Sequence, residues 1–311
     1  MTTVGRLDPV RESAVLFLIF NRPDTTRRVF GEIRRARPAR LYIAADGPRT
    51  HVPGEGDRCA ATRSILGEVD WPCDVHTLLL DTNLGCRRAV SSAITWFFEQ
   101  EEEGIILEDD CLPHPTFFHY CRDLLERYRD DTRIAMVSGD NFQFGRRRTE
   151  YSHYFSRYPH IWGWASWRRT WSRYDVDLKG WPEVRDGDWL RDYFGRRSVA
   201  DFWRRTFEDT YRGKVDTWDH QLTFSCVTNS WLCVVPSVNL VSNIGFGSLA
   251  TRTQGRSRLA ELPTEAMKLP LTAPPFVIRD DQADRVTEDE QFRLGLAGRA
   301  SGFLGRIRGQ A

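Results

Sequence analysis

The chain lacks what would place it in a membrane, in a disulfide scaffold or on a nucleic acid. Its longest purely apolar run, in 311 residues, is Ala14 to Phe20, far short of the roughly 20 residues that cross a bilayer as a helix. The polar start, Met1 to Ser13, carries Asp8 and Glu12 and leads into no stretch long enough for a signal peptide, so the expected location is cytoplasmic. Seven cysteines make an odd count with no CxxC pair, which argues against both a zinc site and a disulfide framework. With 44 Lys and Arg against 43 Asp and Glu, the molecule has no electropositive field for general nucleic-acid binding. Neither GxxxxGK[ST], nor GxGxxG after the first apolar run, nor GxSxG occurs, so P-loop, dinucleotide and elbow-serine hydrolase chemistries lose their support.

What remains is a globular composition, 41% hydrophobic and 28% charged, sized for one large domain or two ordinary ones. In the first half, short apolar runs alternate with helical periodicity, the pattern of parallel strands joined by crossover helices. Ala14 to Phe20, Leu41 to Ala45, Val75 to Leu80, Gly104 to Leu107 and Ile134 to Val137 read as strands. Helices are expected between them, one with its apolar face on Val29, Phe30 and Ile33, another on Val90, Ile94, Phe97 and Phe98. From Asn141 the composition turns rich in Arg and Trp, with most of the eleven tryptophans between Trp162 and Trp218. Trp164, Trp167 and Trp171 stand at helical spacing. After Phe246 the chain is polar and Arg-rich, and is expected to be loosely packed.

In an open parallel sheet, ligands bind beyond the carboxyl ends of the strands. Asn21-Arg22, Asp46 and Glu108-Asp109-Asp110 all fall on that edge. Three adjacent carboxylates repel one another, and their arrangement becomes favourable when a divalent cation takes oxygen ligands there, as Mg²⁺ or Mn²⁺ does while also holding substrate phosphates. A diphosphate-bearing substrate follows from that chemistry.

The stretches FNRPDTTRRVFGEIRR, AADGPR, GIILEDDCLPHPTFFHYCRDLL, WGWASWRRTW and TWDHQLTF, in this order, resemble nucleotide-sugar-dependent glycosyltransferases of the GT-A fold. The pattern is similar to that of N-acetylglucosaminyltransferase I and related bacterial sugar transferases, with an EDD form of the DxD motif, and runs from about Val15 to Gly247. The resemblance implies an α/β, Rossmann-like, mostly parallel sheet with flanking helices. It implies a nucleotide-sugar-binding half at 1–140, an acceptor and catalytic-base half at 141–250, and a tail at 251–311 that forms a lid or is partly disordered.

For the site, the resemblance implies that Asn21 and Arg22 touch the nucleotide and that Asp46 accepts a hydrogen bond from the base. Glu108 and Asp109 contact sugar and ribose, Asp110 ligates Mn²⁺ or Mg²⁺, and Arg87 or Arg88 adds a contact to the diphosphate. Asp219 takes the position of the catalytic base for inverting transfer. Trp162 or Trp164 is expected to border the acceptor cleft, where aromatic faces stack on sugar rings. One departure stands out: Thr251-Arg252-Thr253 has Arg where similar bacterial enzymes carry His, and an arginine cannot ligate a cation but can meet a diphosphate.

The expected reaction is hexosyl or N-acetylhexosaminyl transfer from a nucleotide-diphosphate sugar, a UDP-sugar being favoured, to a carbohydrate, natural-product or protein acceptor. Two alternatives stand beside it. A nucleotidyltransferase or sugar-phosphate pyrophosphorylase would want a Gly-rich basic loop after the first strand, where Asn21-Arg22-Pro23-Asp24 stands instead. A non-catalytic glycan-binding module would not need the acidic triplet.

Overall fold

A computed structural model describes residues 13–246 and 258–292; the expected role of Arg252 lies outside the described residues. The first half builds β1 (Ala14–Ile19), α1 (Pro23–Ala36), β2 (Arg40–Ala45), α2 (Glu55–Arg63), β3 (Asp74–Leu79), α3 (Gly85–Gln100), β4 (Glu103–Glu108), β5 (Cys111–Pro113), α4 (Thr116–Tyr128) and β6 (Ile134–Ser138). The second half adds β7 (His153–Ser156), β8 (Trp164–Trp167) and short helices α5 (Arg168–Trp171), α6 (Trp181–Asp186) and α7 (Trp189–Phe194). It continues through α8 (Arg197–Tyr211), α9 (Asp219–Thr228), β9 (Leu232–Pro236), β10 (Val241–Asn243) and α10 (Asp281–Val286).

Eight strands form one sheet in the order β3-β2-β1-β4-β8-β6-β9-β7. β1 pairs in parallel with β2 and β4, β2 with β3, and β6 with β9, whereas β8 and β7 run the other way. The result is the mixed α/β, mostly parallel architecture of the GT-A, Rossmann-like expectation, with both halves of the chain in one sheet. β1 is buried along its whole length, as a central parallel strand covered on both faces must be.

Side-chain alternation divides the core by sheet face. Val15, Phe17, Ile105 and Leu107 join Phe30 and Ile33 of α1 and Phe118 and Leu125 of α4 on one face. Leu16, Leu18 and Ile106 join Ile94 and Phe97 of α3 and Leu222 of α9 on the other. A third core, with Trp181, Trp203, Phe207 and Phe224, is built inside the helical excursion between β8 and β9.

Two sequence expectations change. Trp164 and Trp167 lie on a strand, not a helix: β8 fills the slot between β4 and β6, antiparallel to both. Their spacing of three puts them on opposite faces, Trp164 beside Trp218 and Trp167 beside Leu125, so each fills a different core and sheet pairing overrides the helical period. Residues 258–292, expected within a loose tail, return to the body. Asp284 is fully buried, accepts from the Ser156 hydroxyl at 2.6 Å and pairs with the Arg157 guanidinium at 3.3 Å. Among the described residues no helix is long and apolar enough to cross a membrane.

Candidate functional site

The acidic triplet straddles the end of β4, and the strand's alternation decides which way each side chain points. Ile106 faces α3 and α9, so Glu108, two residues on, projects to that face as well. There it feels the negative charge of Asp219 at the start of α9. Burial first, then the neighbouring Asp110, Asp109 and Asp219, raise the Glu108 carboxyl well above the usual carboxylate range. Asp109 turns the other way, toward the end of β1, where its Oδ2 accepts the Phe20 amide at 3.2 Å. Burial also raises Asp109, against the opposing pull of Arg22.

Arg22 closes the cluster. It precedes α1, and its carbonyl accepts the Thr26 amide at 3.0 Å and the Thr26 hydroxyl at 2.7 Å. From that anchor Nη1 pairs with Asp110 Oδ2 and lies 3.6 Å from Asp109 Oδ1. Burial alone would lower its pKa, but Asp109, Asp110 and Glu108 together raise it above the ordinary arginine value, so the guanidinium is a fixed charge. The roof is β10, which pairs antiparallel with β5, followed by Ile244, whose amide donates to the Asp110 carbonyl at 2.8 Å. Gly245 then passes directly over the ion pair. A Cβ there would collide with Asp110 Oδ2 and come within 2.7 Å of Arg22 Nη1, so only glycine fits.

Asn21 and Asp46 act through their own surroundings. The Asn21 amide donates to Glu55 at 2.7 Å, and Glu55 also accepts the Arg49 backbone amide and guanidinium. The Arg49 hydrogen bonds are the main reason that the Glu55 carboxyl drops to about 2. Asp46 accepts from Gly47 at 2.8 Å, Asn83 at 2.8 Å, Leu84 at 2.9 Å and Gly85 at 3.2 Å. Burial raises its pKa while the Leu84, Gly47 and Gly85 backbone amides oppose the shift. Four donors match the roughly four lone-pair sites of a carboxylate, so a nucleotide base would have to displace one of them. The work visible in the structure is to tie the end of β2 to the start of α3.

Asp216 completes that helix start. Its two oxygens accept the Cys86 and Arg87 amides, each at 2.9 Å. Two carboxylates from distant segments thus satisfy the orphan amides and the positive end of α3. The same turn of chain, 216–219, delivers Asp219. Its Oδ1 accepts the Thr217 hydroxyl, and Oδ2 has no donor among the described residues. Asp219 stands in the first turn of α9, after Trp218 at the cap position, where its charge favours the helix N-terminus.

The remaining candidates separate. Arg87 is drawn away from the triplet, donating to the Val176 carbonyl at 3.0 Å and pairing with Asp177 at 2.8 Å. Arg88 is exposed on a cleft of about 530 Å³ along α3, which Trp96, Tyr174 and Val176 also line. Trp164 is only 1% exposed and stacks on Trp218. Gly163, with φ of 69°, turns the chain between the two tryptophans. Trp162 consequently leaves the Trp164 face and meets Phe142 and Phe246 edge-on, half-buried next to the roof segment. The structure therefore joins Arg22, Asp109 and Asp110 by ion pairs, sets Glu108 under the charge of Asp219, turns Asn21 to Glu55 and leaves Trp162 at the roof. Glu55, Asp216 and Gly245 escaped the sequence reading: the partners of Asp216 and Gly245 are distant in sequence, and no local motif marks the Arg49–Glu55 pair.

No protein-family model and no curated relative matches the chain. Among solved structures it is similar to TarS 1–349 of S. aureus, at 9% identity and a TM-score of 0.40, over 72% of this chain and 58% of that one. It thus spans less than two thirds of the TarS structure. It is also similar to HddC from Yersinia pseudotuberculosis, at 10% identity and a TM-score of 0.31, over 50% of this chain and 77% of that one. Likenesses this slight carry no reading of function.

Proposed function

We propose that the chain is a metal-assisted glycosyltransferase that moves a hexosyl or N-acetylhexosaminyl group from a nucleotide-diphosphate sugar, a UDP-sugar being favoured, to an acceptor hydroxyl. The observation that carries the reading is the ion-paired cluster of Arg22 with Asp109 and Asp110, which joins the ends of β1 and β4 at the carboxyl edge of the sheet. The charge of Asp219, from the helical excursion, also bears on Glu108 of that cluster.

The residues present fit a divalent cation of the Mg²⁺ or Mn²⁺ kind. Glu108, Asp109 and Asp110 face one guanidinium, and burial makes their mutual repulsion costly. Among the described residues no three such side chains converge as a ready-made cage. Asp110 would therefore hold the ion, with water and phosphate oxygens completing the shell, as is usual for Mg²⁺. When bound, the cation supplies positive charge to the departing diphosphate.

The chain's own residues carry the rest. Arg22 offers a planar fork of donors to the diphosphate. Asn21, held by Glu55, borders the nucleotide. Glu108 and Asp109 accept hydroxyls of sugar and ribose. Asp219 Oδ2 takes the proton from the acceptor hydroxyl while Thr217 holds Oδ1, so the carboxylate is oriented before the acceptor arrives. A base on the far side of the sugar from the leaving diphosphate makes the transfer inverting. Trp162 offers an aromatic face to a carbohydrate, natural-product or protein acceptor.

Calorimetric titration of UDP, GDP and dTDP, with and without Mn²⁺, tests the reading. Micromolar binding of one nucleotide that needs the cation and vanishes in Asp110→Ala is the expected result. A folded protein that binds none of the three under either condition refutes it.

A further inference from the structure

We infer that Arg22 is a resident counter-ion that competes with the divalent cation for Asp110, so that cation and nucleoside diphosphate bind cooperatively through this one side chain. The inference rests on the proposed function and concerns the regulation of the same site.

Three carboxyl groups, Glu108, Asp109 and Asp110, meet one guanidinium, and that guanidinium sits on the carboxylate proposed to hold the metal. Nη1 of Arg22 contacts Asp110 Oδ2 directly. The other Asp110 oxygen is 3.5 Å from the Cys111 thiol. A cation that takes Asp110 Oδ2 meets the Arg22 guanidinium already there. The Arg22 backbone is pinned at the start of α1 by the Thr26 amide and hydroxyl. Overhead, the room at Gly245 is too small even for a methyl group. A cation bound to Asp110 at about 2.0–2.1 Å would face a guanidinium on the same oxygen, in a place where the Arg22 side chain is only 18% exposed and solvent screening is weak.

A cation arriving alone must therefore push Arg22 off its main partner. The displaced guanidinium loses its shortest carboxylate contact in a largely buried place, with Asp109 Oδ1 3.6 Å away, which is unfavourable. A diphosphate arriving alone leaves Arg22 shared between phosphate and Asp110 and adds negative charge to an acidic cluster. Together the two ligands solve both problems. The cation takes Asp110, and the guanidinium turns its fork to the phosphate oxygens, a geometry it matches with two parallel bonds. By linkage each ligand tightens the other by the same factor.

Mn²⁺ binding, read from the electron paramagnetic resonance signal of the free ion and from calorimetry, tests this directly. UDP, GDP and dTDP are each used as the second ligand. For the native chain the effective nucleotide should tighten Mn²⁺ by at least about tenfold, within the usual 5–150-fold range of site coupling, and Mn²⁺ should tighten the nucleotide equally. In Arg22→Met, Mn²⁺ alone should bind at least about tenfold more tightly than to the native chain, with the coupling factor falling toward one. Arg22→Lys, which keeps a charge without the fork, should fall between the two, and near-UV circular dichroism confirms that each variant is folded. Unchanged Mn²⁺ affinity in the folded Arg22 variants, or nucleotide affinity equal with Mn²⁺ and with EDTA, overturns the inference. If the native chain binds no nucleotide under any condition, the proposed function falls with it. Mn²⁺-dependent nucleotide binding that is indifferent to Arg22 overturns this inference alone.

Discussion

The parallel half of the sheet and the helical excursion between β8 and β9 supply the site in different ways. In the parallel half, Asn21 and Arg22 follow β1, Glu108 ends β4 and Asp109 and Asp110 follow it, so the strands themselves aim them. Asp216 and Asp219 instead arrive at the end of a long helical detour, whose aromatic core of Trp181, Trp203, Phe207 and Phe224, together with Trp218 packed on Trp164 and the Asp216 bonds to the start of α3, fixes their position. On the proposed function, the parallel half would bind by strand geometry and the excursion would add reactivity through tertiary packing. Stability and chemistry should separate accordingly.

The largest expected effect breaks the parallel half's function without touching its fold. Asp110→Asn should lower Mn²⁺-dependent nucleotide affinity by roughly 100-fold, as removal of a charged ligand does, in a chain that still folds but melts lower for the loss of the Arg22 ion pair; calorimetry and a melting curve check both. Next in size is a break in the excursion. Phe207, fully buried against Trp181, Trp203 and Phe224, should cost about 3–5 kcal/mol of stability as Phe207→Ala. Denaturant unfolding reads it, and nucleotide binding to the folded fraction should survive. A smaller effect is expected for Asp216→Ala, which leaves the Cys86 and Arg87 amides without their acceptor and should cost about 0.5–2 kcal/mol. The same melts resolve it.

The smallest effect concerns pH. Burial holds Glu108 and Asp109 protonated beyond the ordinary carboxylate range. Their contribution to folding stability is thus full at acid pH and lost as the pH rises past their raised values. Cation binding needs the deprotonated groups, so it gains as the metal-free protein loses. The rise in melting temperature on adding Mn²⁺ should therefore be larger at pH 8 than at pH 5.5. An equal or smaller rise at pH 8 would show that these carboxyls do not take part.

Much of this was legible in the sequence where local rules decide. β1, β2 and β4 read as apolar runs closed by turn residues, because a parallel strand buried on both faces leaves no alternation to confuse the pattern. The acidic triplet was visible for the same reason. Trp164 to Trp167 misled, because a spacing of three suits a helix and equally suits a strand with a large residue on each face. Asp216 was illegible because its partner amides lie 129 and 130 residues away. The Arg22–Asp110 pair was out of reach in the same way, since 88 residues separate two ends that only the β1–β4 pairing brings together.

The division of labour between strand edge and excursion is tested most directly by Asp219→Asn, measuring the steady-state rate of sugar transfer from the nucleotide sugar whose nucleotide binds, beside nucleotide affinity with Mn²⁺. The account predicts a loss in kcat of roughly 10²–10⁴-fold with unchanged Mn²⁺-dependent nucleotide binding. A variant that keeps its turnover, or that loses nucleotide affinity in step with it, would contradict the assignment of Asp219 as the base and with it the separation of the two regions.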